Sequence, residues 1–206
     1  MLIESFTGGM FETNCFFLVD SGILVDAPQE AADWLAEQGL KVKLLLLTHG
    51  HVDHVWDAAR IQREHGCPVG CHPETVPMVA DREFFRKFGF ALDVETLTPD
   101  LMITEAAARE LGGLEFQMLE VPGHCPGSLC FYLKEERLVF GGDVLFAGGV
   151  GRWDLPGGDR DLLFTGIRKK VFPLGDDVKV LPGHGPATTI GREKAENPFV
   201  GEGGDA

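Results

Sequence analysis

Lys43-Leu44-Leu45-Leu46-Leu47-Thr48-His49-Gly50-His51-Val52-Asp53-His54 decides the fold and points to the chemistry. An unbroken aliphatic run of this length, bounded by polar residues, reads as a strand buried on both faces, the pattern of a parallel strand in an α/β protein. Four side chains of metal-ligand type, His49, His51, Asp53 and His54, follow at once, and helical spacing resumes at Val52. A strand end delivers its loop to one rim of a sheet, where α/β proteins place their sites. Imidazole nitrogen together with carboxylate oxygen suits Zn²⁺ and equally Fe or Mn.

Three more segments repeat the design. Pro122-Gly123-His124, Gly141-Gly142-Asp143 and Pro182-Gly183-His184 each set one ligand type directly after glycine at the end of a strand-like run. Five of the seven histidines therefore fall on strand-to-loop junctions, with two aspartates beside them. A solvated histidine loop would not recur in this form. His65 and His72 flank Cys67-Pro68-Val69-Gly70-Cys71, which reads as a short buried strand rather than a metal site, and both are taken as non-ligands.

Outward from these segments the chain alternates strands and helices in two halves, which implies a layered α/β fold. Asn14–Val19 and Ile23–Val25 around Asp20-Ser21-Gly22 form a hairpin. Gln29–Gly39 is expected to be a helix with Ala32, Leu35 and Ala36 on its buried face, and Val52–His65 another. Phe84, Phe85, Phe88 and Phe90 lie in a stretch read as a helix, either core filling or a lid. Leu114–Leu119, Ser128–Leu133, Arg137–Phe140 and Lys179–Leu181 read as strands, and Asp161–Val171 and Thr188–Ala195 as helices. Residues 1–200 are expected to form one catalytic domain, and 201–206 a flexible tail.

Composition sets limits. Of 206 residues, 18 are Lys or Arg and 32 are Asp or Glu, a net charge of −14. That deficit argues against a nucleic-acid partner, which needs a basic face. No aliphatic run approaches the roughly 20 residues of a membrane span. Glu4 stands where a secretory leader would be basic, and the odd cysteine count speaks against a disulfide framework, so a reducing cytoplasmic setting is expected.

On these segments the sequence resembles the metallo-β-lactamase-fold hydrolases, and within them the glyoxalase II (hydroxyacylglutathione hydrolase) group. The segments that carry the likeness are Thr48–His54, Val121–Ser128, Gly141–Phe146, Gly149–Arg152 and Leu181–Gly185. The resemblance implies a four-layer αββα sandwich, two mixed sheets with outer helices. It implies two divalent metal ions, zinc or iron, with manganese possible. His49, His51 and His124 would hold the first, and Asp53, His54 and His184 the second. Asp143 would bridge both, and Asp53 and Asp143 would be the catalytic carboxylates. Asp26 matches an acidic position that supports the ligand loop, although a strand-end turn residue reads the same way. Arg152 matches a basic position that contacts glutathione, although pairing with Asp154 or Asp159 on the surface is an equal reading.

The activity implied is hydrolysis of a small-molecule thioester by a metal-activated water. A thiolate, with a pKa of roughly 8.5, departs without a proton donor, which an amide nitrogen does not. The chain departs from the larger glyoxalase II enzymes in having too few residues after His184 for their C-terminal helical domain. It resembles their shorter relatives. A mononuclear-iron persulfide dioxygenase using His49, His124 and Asp143 is an alternative, as is a non-catalytic metal or redox-binding module.

Overall fold

The computed structural model describes residues 1–81, 84 and 94–204. Phe85, Phe88 and Phe90 lie outside them, and Phe84 stands in a turn. The chain divides into two compact units, Met1–Ile103 and Thr104–Ala206.

The first unit is a mixed six-stranded sheet in the order β1 (Ile3–Gly8), β2 (Thr13–Leu18), β3 (Ile23–Val25), β4 (Leu44–Leu46), β5 (Val69–Cys71) and β6 (Leu101–Met102). β1, β2 and β3 pair antiparallel, and β3 through β6 pair parallel. β2 and β4 are buried along their whole length, which explains the apolar runs Cys15–Leu18 and Leu44–Leu46. Among the described residues, α1 (Ala31–Glu37), α2 (Val52–Val55), α3 (Ala58–His65) and α4 (Val76–Ala80) accompany the sheet. Leu35 of α1 and Ala58 and Ile61 of α3 join Leu24, Leu45 and Val69 in one core.

Two local expectations are corrected. The buried face of α1 is Ala31, Ala32 and Leu35, while Ala36 is exposed. The helix expected over 52–65 is two helices, because the Asp57 amide leaves the helical ladder to donate to Ala27 O at 3.0 Å. Its carboxylate accepts from Ala32 N at 3.0 Å, so the break ties the start of α1 to the start of α3.

The second unit is a mixed sheet in the order β14 (Thr188–Thr189), β13 (Lys179–Pro182), β10 (Leu138–Gly142), β9 (Leu129–Leu133), β8 (Leu114–Glu120) and β7 (Ala106–Leu111). Only the β10–β13 pair among these is parallel. A small ribbon of β11 (Leu145–Phe146) and β12 (Gly149–Val150) branches after β10. α5 (Arg160–Gly166) continues into irregular helical turns as far as Leu174, and α6 (Ile190–Glu196) follows β14. Leu163, Phe164 and Ile167 pack with Leu119, Val139, Val180 and Ile190.

β7 has no counterpart in the sequence reading. Ala106-Ala-Ala-Arg-Glu-Leu111 has weak strand preference, and it is held as an edge strand by its hairpin with β8. Leu111 pairs with Leu114 across Gly112 (φ 58°) and Gly113 (φ 83°). Two positive φ values in a two-residue loop give the turn whose twist matches a hairpin, which glycine supplies without strain.

At the C-terminus, Gly201 N donates to Asn197 O, Glu202 N to Lys194 O and Gly204 N to Gly201 O, while 205 and 206 lie outside the described residues. Among the described residues no helix is long and apolar enough to cross a membrane.

Candidate metal centre

In the first unit β3 and β4 run parallel, so their C-terminal ends emerge side by side. β3 delivers Asp26, and β4 delivers Leu47-Thr48-His49. The Asp26 amide donates to Leu46 O at 2.9 Å, tying the two ends together. The buried Asp26 carboxylate accepts three bonds, each of 2.8 Å: Thr48 N to Oδ1, and Thr48 Oγ1 and His54 Nδ1 to Oδ2. These contacts settle the proton positions. A carboxylate only accepts, so the Thr48 hydroxyl proton points at Asp26, and the Thr48 oxygen accepts from His49 Nδ1 at 3.1 Å. His49 and His54 both therefore carry a proton on Nδ1, which in the neutral ring leaves the lone pair on Nε2, the assignment an imidazole ligand requires. His51, at the start of α2, sets its ring edge-on to His49 at 4.8 Å. Asp53 Oδ2 accepts from the buried Thr13 hydroxyl at 2.8 Å and lies 3.5 Å from His54 Nε2.

In the second unit β8, β10 and β13 share one direction, because β9 is antiparallel to both β8 and β10 and β13 is parallel to β10. Their C-terminal ends deliver His124, Asp143 and His184 to the same edge. Gly183 N donates to Gly142 O at 2.8 Å, which fixes the last two relative to each other. His124 Nδ1 donates to the Arg152 carbonyl at 2.8 Å, so in the neutral ring Nε2 is the nitrogen left to act as a ligand. That nitrogen lies 3.5 Å from Asp143 Oδ2, and His184 Nε2 lies 3.4 Å from the same oxygen. Gly151 is required here, since a Cβ would overlap the Asp143 carbonyl oxygen and crowd His124.

The donor set fits divalent metal. His124 Nε2 lies 3.5 Å from the Asp143 carboxylate oxygen, a spacing long for a hydrogen bond. Two donors bound to one tetrahedral zinc at about 2.0–2.1 Å lie roughly 3.4 Å apart, which matches both contacts of Asp143 Oδ2. Among the described residues, the side chains suited to holding a metal are His49, His51, Asp53 and His54 in the first unit and His124, Asp143 and His184 in the second. They are the seven that the sequence analysis names. Zinc, iron and manganese all accept such a set.

The family model for the metallo-β-lactamase superfamily matches residues 11–184. The chain belongs to that superfamily. A relative from Haemophilus influenzae called hydroxyacylglutathione hydrolase GloC is 37% identical, with 97% of this chain and 98% of that protein covered. Among solved structures, the BLEG-1 B3 metallo-β-lactamase superposes with a TM-score of 0.89 at 32% identity, covering 97% of this chain and 99% of the other. TTHA1623, solved in a di-iron-bound form, gives a TM-score of 0.82 at 35% identity over 95% of this chain and 99% of its own. The αββα class expected from sequence is thus the metallo-β-lactamase fold, and the chain is a member of a metallo-hydrolase superfamily.

Within this metallo-β-lactamase chain, Arg152 behaves differently from the ligands. Its guanidinium forms a two-pronged pair with Asp154, Nε to Oδ1 and Nη2 to Oδ2, both 2.9 Å, with both side chains exposed. Its contact with the ligand set runs through its backbone carbonyl. His65 Nδ1 accepts from Val42 N and His72 Nδ1 from Glu74 N, so both outlying histidines serve the backbone. Cys67 and Cys71 are free and buried, as a plain strand requires. Three supporting groups escape sequence reasoning: Thr48 and Thr13, which hold His49 and Asp53, and the Arg152 carbonyl. Of these only Thr48 had a signal, its place directly before His49.

Proposed function

We propose that the two ligand sets converge on a pair of divalent cations and that the protein is a glyoxalase II-type thioesterase, splitting a glutathione thioester of a small hydroxy acid into acid and thiol. The observation that carries this reading is the 37% identity, across nearly the whole of both chains, to a protein called a hydroxyacylglutathione hydrolase. The di-iron form of TTHA1623, at 35% identity, supports two cations. His49, His51 and His124 would hold one, Asp53, His54 and His184 the other, and Asp143 both. When bound, the cations supply Lewis acidity toward the carbonyl oxygen and acidify water.

The chain's own residues do the rest. Asp26, through Thr48 and His54, and the Arg152 carbonyl, through His124, keep three imidazoles with Nε2 lone pairs available. Asp53 and Asp143 supply the two carboxylates that offset part of the cationic charge and leave the site positive inside an acidic chain. No side chain need protonate the leaving group, because a thiolate departs unaided at neutral pH. Arg152 would turn from Asp154 to a carboxylate of the thiol carrier, a bidentate match for either partner. Five buried cysteines suit the reducing, cytoplasmic setting of such a carrier.

The test is release of free thiol from S-D-lactoylglutathione by the purified protein, lost on chelation and restored by metal. A metal-loaded protein that hydrolyses no thioester, while opening a cephalosporin or consuming oxygen with a persulfide, would sink the thioesterase reading.

A further inference from the structure

Glu193 is an acid that the metal site does not use, yet it is buried to about 1% exposure near the end of the chain. Its carboxylate accepts three hydrogen bonds: Oε2 takes Gly148 N at 2.9 Å and Asn197 Nδ2 at 2.8 Å, and Oε1 takes Thr188 Oγ1 at 2.5 Å. Asn197, equally buried, donates from the same amide group to Gly149 O at 3.0 Å. Two side chains, one on α6 and one just after it, thus hold the Gly148 N–H and the Gly149 C=O, which belong to the peptides on either side of the one joining these two glycines. Both groups lie at the turn of the β11–β12 ribbon.

The ribbon and its flanking residues adjoin the three candidate ligands of the second unit. It begins directly after Asp143. Phe146 sets its ring edge-on to His184, with centroids 6.1 Å apart. At its far end Gly151 N returns to Val144 O at 3.4 Å, and the next carbonyl, that of Arg152, receives His124 Nδ1. Clamping the tip therefore constrains three ligand contacts at once. A carboxylate with three donors is a strong anchor, because removing one acceptor leaves buried donors unpaired.

The geometry points to Glu193, with Asn197, as a positioning residue: it braces the 144–152 ribbon so that His124, Asp143 and His184 keep their metal-binding arrangement. This rests on the two-cation reading above and extends it to a part of the chain that touches neither cation nor substrate. Glu193→Gln keeps the volume and replaces one acceptor by a donor. Asn197→Ala removes the grip on Gly149 and provides a second variant if the first does not fold. Thr189→Ala is the control, since it removes the hydroxyl that caps α6 at Arg192 N and loosens the same helix without touching the ribbon.

The experiment is chelator competition on the zinc-loaded full chain, with no substrate present, alongside melting curves and the visible spectrum of the cobalt-substituted protein. Glu193→Gln and Asn197→Ala are expected to weaken zinc binding about 10- to 100-fold, the range for partners that orient metal ligands, and to shift the cobalt bands. Thr189→Ala, at a comparable loss of melting temperature, is expected to keep parental affinity and bands. Parental affinity in Glu193→Gln and Asn197→Ala, or an equal loss in Thr189→Ala, overturns the brace. A parent protein that binds no zinc overturns the two-cation reading as well. Absence of thioesterase activity with zinc firmly bound bears on that activity alone.

Discussion

Asp26 Oδ2 accepts from His54 Nδ1 at 2.8 Å with both side chains buried, and the same carboxylate holds Thr48 by amide and hydroxyl. One acid thereby sets the tautomers of two histidines, His54 directly and His49 through Thr48. Asp26 lies at φ 61°, a conformation asparagine tolerates well, so Asp26→Asn changes the chemistry without straining the backbone. The new amide can still accept from Thr48 N through Oδ1, but its NH₂ opposes the Thr48 hydroxyl and the His54 Nδ1 proton. Zinc affinity is expected to fall about 10- to 100-fold. Stability should fall by about 1–3 kcal/mol, the cost of leaving buried donors unmatched. Chelator competition and urea unfolding read the two effects, and undiminished zinc binding by the variant would remove Asp26 from the site.

The part of the fold legible in sequence is the part where burial forces composition. β4 is legible because a strand covered on both faces must be apolar throughout, and the ligand loop is legible because few residue types bind metal. β1 and β7 are edge strands with mixed exposure, so Ile3-Glu-Ser-Phe-Thr-Gly8 and Ala106-Ala-Ala-Arg-Glu-Leu111 carry no such constraint. Gly112-Gly113 was the one available cue to β7. The break between α2 and α3 is set by a bond to Ala27, distant in sequence, and no local pattern encodes it. In the site, the seven candidate ligands are read from residue type. The Arg152 carbonyl that orients His124 could belong to any residue, so only the folded chain reveals it.

Leu45→Ala and Asp159→Ala separate packing from capping. Leu45 is fully buried in the centre of the first sheet, with β3 and β5 on either side through β4's pairings. Its truncation is expected to cost about 2–5 kcal/mol, the transfer term plus the cavity left behind. Asp159 caps α5, its Oδ1 accepting from Leu162 N at 2.9 Å, and its loss should cost about 1 kcal/mol. Urea midpoints at constant slope give both values. An Asp159 effect as large as that of Leu45 would show that the cap does more than complete its helix.

Burial pushes the Cys71 and Cys130 thiols up from 9.0 to about 12. The folded chain then holds these protons while the unfolded chain releases them above pH 9.0, so the unfolded state binds fewer protons and stability falls as pH rises. The contribution is whole below pH 9.0 and is lost progressively toward about 12. Urea unfolding at pH 8 and at pH 10.5 should show the decline, and Cys71→Ala should show a shallower one. Thiol reagents at pH 8 should modify the folded protein slowly and all five cysteines after unfolding. Rapid labelling of the folded chain would contradict the buried, protonated state.

Arg152 and Asp154 form an exposed two-pronged pair, so any carboxylate that Arg152 takes from a substrate must displace Asp154. Exposed pairs are weak and easily exchanged, which makes the displacement cheap but measurable. Asp154→Ala frees the guanidinium and is expected to lower KM for a glutathione thioester with kcat unchanged. Arg152→Ala is expected to raise KM with a much smaller effect on kcat, because the lost contact binds substrate and transition state alike. Added salt should shrink both effects through screening. The His124 bond to the residue-152 carbonyl survives in Arg152→Ala, so metal content should stay at the parental level. If KM and kcat are both unmoved in the two variants, Arg152 contributes to this site through its backbone alone.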